Sequence, residues 1–205
     1  MSNRRRWIVR SIIVAVLVVG CDAFATRTPD PPGSGPIEFA QPTSELIVVE
    51  NFQKALAQKN TEAFMLCLAD TAQGFVSSQQ YRYEPSAEAG ARFSDKFRQW
   101  SRTDERQAFL SLVSRLGPDA TPALSLGDAR FDVRLPDSAV YVATYILQLP
   151  IALPSVPTRV AGTLRWTIVP NRLGLWAIAR WSDASSQSSD SVPDTWSTLK
   201  ALLVN

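Results

Sequence analysis

The spacing of apolar residues changes once along this chain, near Ala123, and this change constrains the fold more than any other feature. Before it, apolar residues recur at helical spacing, as in the segment 44–58. After it, apolar and charged side chains alternate, as in the segment 131–135. Helices followed by strands, rather than alternating with them, predict an α+β fold.

The coarse elements follow from the same pattern. Helices are predicted over 44–58, 61–69, 86–100, 103–116 and 194–203. Their predicted caps include Thr43 or Ser44, Ser86, Thr103 and Asp194. A short extended piece is predicted over 74–78, between the helices, and strands are predicted over 131–135, 140–149, 159–169 and 175–182. Short connections make neighbouring strands antiparallel. We therefore expect N-terminal helices packed on a curved antiparallel sheet, a cone-like meander, with a C-terminal helix.

The first 20 residues have the order of a secretory leader. Arg4, Arg5 and Arg6 precede an apolar run over 11–19 that is too short to span a bilayer as a helix. The residues Val-Val-Gly-Cys that end at Cys21 resemble the lipobox of bacterial lipoprotein precursors. This resemblance implies cleavage before Cys21 and lipid, including palmitate, on its sulfur; the alternative is an ordinary signal peptide with an incidental cysteine.

The segment that follows is predicted as a tether, so that the chain divides into a signal peptide (1–20), a lipidated cysteine with a Pro/Gly-rich tether (21–43) and a domain (44–205). Five prolines and two glycines lie between residues 22 and 43, and such a stretch cannot bury enough apolar surface to fold. Its reach is on the order of 25 Å. We expect a cell-envelope location facing the periplasm or exterior. Asp22 resembles an inner-membrane retention signal and favours the inner membrane over the outer.

Charge and residue types restrict the functions that this chain can perform. Four of the 21 basic residues and none of the 19 acidic ones lie in the first 20 residues, so the remainder carries 17 basic against 19 acidic side chains, a formal charge of −2. We expect no nucleic-acid binding. The chain contains no histidine, which removes Cys-His and Ser-His catalysis. Cys67 lies in an apolar segment and is predicted to be an inert core residue.

The predicted elements resemble nuclear transport factor 2-like (SnoaL-like) domains. The segment 51–70 (NFQKALAQKNTEAFMLCLAD) is similar to their opening helices. The segments 174–183 (GLWAIARWSD) and 195–203 (TWSTLKALL) look like the end of uncharacterised bacterial lipoproteins of that superfamily. The resemblance implies a cone with a cavity at its open end. Domains of this fold include both enzymes and binding modules, and they are often dimers. Fold alone does not choose between these functions.

Aromatic and charged residues of the strands are the candidates for lining that cavity. They are Tyr141, Tyr145, Trp166, Trp176, Arg165 and Arg180. The alternative is that the aromatic residues only fill the core, since large aromatic side chains dominate core burial. Trp181 is expected on the strand face opposite Trp176 and in the core.

No catalytic residue is predicted. Asp132 and Arg134 alternate with Phe131 and Val133, and a charged strand face is usually the solvated one. Acid–base catalysis by two carboxylates requires surroundings that give them different pKa values, and no pair of carboxylates lies in an apolar stripe that would provide this difference. We also expect no metal and no cofactor.

The function predicted from sequence is therefore a membrane-tethered lipoprotein whose domain binds a ligand or protein partner without catalysis. A small hydrolase or isomerase that uses the cone is one alternative, and a structural lipoprotein docking on an envelope assembly is another. The expected partners are the membrane, through lipid on Cys21, and an apolar small molecule or an envelope protein, with a homodimer as a further option.

Overall fold

The computed structural model describes residues 39–151, 156–186 and 194–204. The leader peptide, Cys21 and most of the predicted tether lie outside the described residues. Within those that are described, no helix is both long and apolar enough to cross a membrane.

The first part of the domain is helical, as predicted. The helices are α1 (Glu45–Ala57), α2 (Thr61–Leu66), α3 (Ala87–Arg92), α4 (Ser94–Phe97) and α5 (Arg102–Arg115). Two 3-10 turns, Thr71–Gln73 and Ser77–Gln79, separate α2 from the first strand. The last element is α6 (Trp196–Leu203).

Side-chain caps explain where these helices begin. The Ser44 Oγ accepts a hydrogen bond from the Ile47 N–H at the start of α1, as predicted. Helix α5 begins earlier than predicted because Ser101, not Thr103, is its cap. The Asp104 carboxylate reaches back to the Ser101 N–H and completes a capping box.

Two other helix predictions are also corrected, one at a break inside the helix and one at its cap. The helix predicted over 86–100 is divided at Phe93, whose backbone angles (φ −122°, ψ 38°) are not helical. Helix α6 is capped by Thr195, whose side chain accepts from the Thr198 N–H, rather than by Asp194.

A five-stranded curved sheet forms the second layer. The strands are β1 (Arg82–Glu84), β2 (Ala123–Leu135), β3 (Ser138–Gln148), β4 (Arg159–Pro170) and β5 (Trp176–Ala184), in the order β1-β5-β4-β3-β2. Strands β2 to β5 form the predicted antiparallel meander. The all-antiparallel prediction is corrected at one edge, where β1 pairs parallel to β5. The extended piece predicted over 74–78 is misplaced, because the strand lies at Arg82–Glu84 and three residues are too few for any apolar period.

Three register shifts interrupt the ladder, two in β2 and one between β4 and β5, and they change which side chains face inward. Asp132 is the extra residue of a bulge in β2, between pairs made by Phe131 and Val133. In β5, Ala179 is extra, because the neighbouring pairs involve Arg180 and Ile178. A bulge shifts the alternation by one residue, so Trp176 and Ile178 face the same core as Trp181, on the other side of the bulge. The prediction that Trp181 and Trp176 lie on opposite faces of the strand is therefore wrong, although Trp181 is in the core as expected.

Helix α1 packs on the inward face of the sheet, and aromatic side chains fill the space between them. The Phe52 ring lies 4.7 Å from the Trp166 ring, 5.4 Å from the Trp181 ring and 5.8 Å from the Trp196 ring, between centroids. Phe52, Trp166 and Trp181 are fully buried. The concave side of the sheet is thus a packed core.

Candidate functional site

The most unusual feature inside this core is a buried ion pair between helices α5 and α6. The Lys200 ammonium lies 2.6 Å from Glu105 Oε1, and the side chains are 3% and 1% exposed. Lysine and glutamate are almost never fully buried unless paired. Removing both charges from water is costly, so the surroundings of this pair must replace the lost hydration.

The same carboxylate oxygen accepts two further hydrogen bonds. The Tyr81 hydroxyl donates over 2.7 Å and the Trp100 Nε1–H over 2.8 Å. On the other side, the Lys200 ammonium lies 3.4 Å from the Tyr83 ring centroid and 3.6 Å from that of Trp181. Ring faces attract cations, so protein groups take the place of water around both charges.

A second buried carboxylate, Asp183, lies at the start of α6. Its Oδ1 accepts from the Tyr145 hydroxyl over 2.7 Å. Its Oδ2 accepts from the Ser197 N–H over 2.7 Å and from the Ser197 hydroxyl over 2.5 Å. Tyr145 in turn accepts from the Trp196 N–H. The N–H groups in the first turn of a helix favour negative charge, so Asp183 stabilises the N-terminus of α6.

Burial changes the proton affinities of these groups. It lowers the pKa of Lys200 to about 8, against the opposing attraction of Glu105. Burial also raises the pKa of Asp183, against its hydrogen bonds with Ser197 and Tyr145. The pKa values of Tyr81 and Tyr83 are raised by burial as well, which keeps both phenols neutral. The ionisable groups of the interior thus satisfy one another, whereas the buried indole N–H groups of Trp166 and Trp181 have no partner among the described residues.

The lowered pKa of Lys200 predicts a pH dependence of stability. Between pH about 8 and the unfolded-state value of about 10.4, the unfolded chain binds more protons at this amine than the folded one, so the free energy of unfolding rises with pH across this window. Urea unfolding from pH 7 to 10.5, compared with the variant Glu105→Gln/Lys200→Met, isolates this contribution. Parallel curves for the two proteins would contradict the assignment.

The cavity beside the ion pair is too small for a substrate. It holds about 20 Å³. The side chains that surround it are mostly apolar: Phe64, Ala108, Phe109, Leu112, Leu199 and Leu203. A volume of this size admits about one water molecule. The charged pair therefore has no room for a reacting molecule next to it.

The structure divides the six predicted pocket residues between the two faces of the sheet. Tyr141, Tyr145 and Trp166 are buried on the inward face, and Trp176 is half-buried. Arg165 and Arg180 lie on the outward face, with side chains 51% and 57% exposed. The six residues do not meet in one pocket, because successive strand residues point to opposite faces.

The charged residues of β2 are exposed but do not share one face. Asp132, the bulge residue, pairs with Arg130 at 2.9 Å and with Arg165 at 3.0 Å. Arg134 instead pairs with Glu45 of α1 at 2.9 Å. The prediction that Asp132 and Arg134 share one face is thus wrong, because Asp132 is itself the extra residue of the bulge and the alternation shifts by one residue there.

Cys67 is 2% exposed, and its thiol donates to the Ala63 carbonyl over 3.3 Å. Burial raises the pKa of this thiol, which keeps it protonated and unreactive. In the part of the chain that the structure describes, no group of three or more Cys, Asp or Glu residues is placed to hold a metal ion.

Sequence reasoning missed Glu105, Lys200 and Asp183, although a signal was present for the first two. Glu105 shares the buried face of α5 with Ala108, Phe109 and Leu112. Lys200 lies one turn after Trp196 on a helix whose other residues are mostly buried. A charged residue inside an apolar stripe at helical spacing is the pattern of a buried partner. Asp183 had no comparable signal.

Comparisons with known proteins concern the fold. No protein-family model matches the chain, and no curated protein matches it. A solved structure of a proposed calcium/calmodulin-dependent protein kinase II association domain from Xanthomonas campestris is similar at 15% identity, with a TM-score of 0.50 over 73% of this chain and 94% of that one. This likeness shows the fold alone.

Two further solved structures are described as NTF2-like. One is a proposed dehydratase from Streptomyces avermitilis, with 12% identity and a TM-score of 0.48 over 69% of this chain and 93% of that one. The other is a protein of unknown function in nutrient uptake from Rhodospirillum rubrum, with 12% identity and a TM-score of 0.46 over 69% and 97%. Structures similar to this chain thus include NTF2-like proteins.

Proposed function

We propose that this chain is a cell-envelope lipoprotein, anchored through lipid on Cys21, whose NTF2-like domain is a non-catalytic binding module that uses its outer surface. The lipobox-like residues that end at Cys21 support the anchor. The Pro/Gly-rich segment 22–43 would hold the domain away from the membrane. Asp22 favours the inner membrane in this proposal.

One observation carries the binding proposal: the interior of the domain is filled by its own side chains. Ligand pockets are usually about 300–1,000 Å³. The cavity beside Lys200 and Glu105 holds about 20 Å³, and Phe52, Trp166 and Trp181 occupy the concave side of the sheet. A partner must then be bound on the outside, which favours an envelope protein over an apolar small molecule in the cone.

The alternative of a small hydrolase or isomerase draws its support from the buried ionisable groups. Lys200 has a lowered pKa, a property that catalytic lysines share. However, the Lys200 ammonium already contacts Glu105 and two aromatic rings. Buried ion pairs also perturb pKa values without any catalytic role, and the filled interior supports the binding module.

A filled interior predicts that the protein gains a small-molecule site only when a side chain is removed. Leu199 is fully buried and borders the small cavity, so Leu199→Ala would leave an apolar void of the kind that binds benzene. We expect benzene to raise the urea midpoint of Leu199→Ala and to leave the parent unchanged. Leu173→Ala, at a side chain that is 79% exposed, is the control. Saturable benzene binding by the parent would show an open interior and contradict the proposal.

The anchor is tested at Cys21. Without the cysteine sulfur no thioether to a diacylglyceryl group can form, so Cys21→Ser should abolish incorporation of a radioactive fatty acid into the chain in growing cells. Cys67→Ser, which leaves the lipobox-like residues intact, is the matched control and should keep the label. Equal labelling of Cys21→Ser and the parent would show that this cysteine carries no lipid.

A further inference from the structure

A groove lies on the outward face of the sheet, away from the buried ion pair, and the proposed function assigns no ligand to it. It is formed where the edge strand β1 meets β5 and β4, and its volume is about 290 Å³. Arg82 and Glu84 of β1, Arg180 of β5 and Thr167 of β4 line it, together with Gln79 of the preceding turn. This size is near the lower end of small-molecule sites.

The strand register places two arginines side by side in this groove. Arg82 pairs with Arg180, and Arg180 pairs with Thr167, so the three side chains form one row across adjacent strands on one face. Neighbouring strands are about 4.8 Å apart. Like charges directly opposite each other destabilise a sheet, so this arrangement needs a compensating negative charge.

The carboxylate beside the row does not compensate both arginines. One oxygen of Glu84 accepts from Arg180, and the other accepts from the Ser182 hydroxyl. Considering the described residues only, no carboxylate lies within 4 Å of the Arg82 guanidinium. The two arginines and one glutamate leave the groove with a net positive charge.

We propose that this groove binds a phosphoryl group. The Arg82 guanidinium would hold two phosphoryl oxygens through parallel N–H donors, a geometry that lysine cannot reproduce. Arg180 would share its charge between Glu84 and the ligand, and the Thr167 hydroxyl would donate a further hydrogen bond. The group is supplied either by a free phosphate compound or by the headgroup of a membrane lipid.

The test uses the full chain in neutral detergent, titrated with inorganic phosphate or with glycerophosphoglycerol, the soluble headgroup of phosphatidylglycerol. Chloride keeps the ionic strength constant. The urea midpoint and the NMR signals of the arginine Nε–H groups report binding, because a ligand of the folded state stabilises it. The variants are Arg82→Gln, which removes charge and donors, and Arg82→Lys, which keeps the charge.

Arg159→Gln is the matched control. Arg159 is exposed on the same face of β4, eight residues from Thr167 and thus about 26 Å from the groove. The substitution Arg159→Gln removes one positive charge from the sheet, as Arg82→Gln does, without changing the groove. Without ligand, Arg82→Gln should have an unchanged or higher urea midpoint, since it removes a like-charge contact.

We expect saturable binding that Arg82→Gln weakens at least about tenfold, that Arg82→Lys weakens less, and that Arg159→Gln leaves unchanged. Tighter binding of inorganic phosphate identifies a free phosphate compound as the source, and equal or tighter binding of glycerophosphoglycerol identifies the lipid headgroup. Equal affinities in parent and Arg82→Gln, or an equal loss in Arg159→Gln, would overturn the proposal. Neither result depends on lipid attachment or on a filled interior.

Discussion

Replacing Lys200 with methionine lowers the free energy of unfolding by about 3–5 kcal/mol, the expected cost of leaving one member of a buried ion pair uncompensated. Methionine keeps the length of the side chain, so packing around α6 is largely preserved. What is lost is the ammonium that lies 2.6 Å from Glu105 Oε1, and the carboxylate remains buried. Urea unfolding at pH 7, followed by tryptophan fluorescence, measures the change.

Two further variants separate charge from packing in this experiment. Glu105→Gln/Lys200→Met should recover much of the loss, because glutamine still accepts from Tyr81 and Trp100 without a net charge. Lys54→Met, at an exposed position of α1, should change the free energy by no more than about 0.5 kcal/mol. A Lys200→Met midpoint equal to that of Lys54→Met would show that the pair is not closed to water.

The second large effect is expected at Trp181. Trp181→Ala should cost about 3–5 kcal/mol, because the indole is fully buried and its removal leaves a cavity. The Trp181 ring lies 4.8 Å from the Trp196 ring and 5.6 Å from the Trp166 ring, and it also faces the Lys200 ammonium. The same urea experiment measures this loss.

Trp181→Phe is the matched control because it keeps an aromatic ring in the core. The buried Trp181 Nε1–H has no hydrogen-bond partner among the described residues, so phenylalanine removes an unsatisfied donor while it loses some volume. Its cost should be well below that of alanine. If Trp181→Ala and Trp181→Phe lowered the free energy of unfolding by equally small amounts, other residues would form the core, and the inward orientation of Trp181 would be wrong.

The elements that sequence reasoning placed best are those with long regular periods. Helix α1 has its apolar stripe and its Ser44 cap, and strands β3 and β4 carry long runs of β-branched and aromatic residues. The strand β1 could not be found, because three residues carry no period and its partner β5 lies about 100 residues later in the chain. The bulges could not be predicted from the sequence either, because an extra residue is defined only by its register with the partner strand.

The candidate site could likewise be predicted only as far as the strand pattern reaches. Tyr145 and Trp166 were correctly placed on strands, but the strand pattern alone could not tell a lined cavity from a filled one. That difference depends on whether α1 inserts Phe52 between the rings, which is a tertiary contact. Glu105 and Lys200 are 95 residues apart, and only the packing of α5 against α6 brings them together.

The position of Lys200 in the last described helix has a consequence for when this domain can fold. Glu105, Tyr83 and Asp183 obtain partners from α6, so a chain in which α6 has not yet docked holds incompletely paired polar groups in an open core. Contacts of such large sequence separation form slowly, and loop closure must precede them. The core is therefore completed only when α6 has been synthesised and has packed against α5 and the sheet, and until then the earlier elements keep apolar surface available to chaperones.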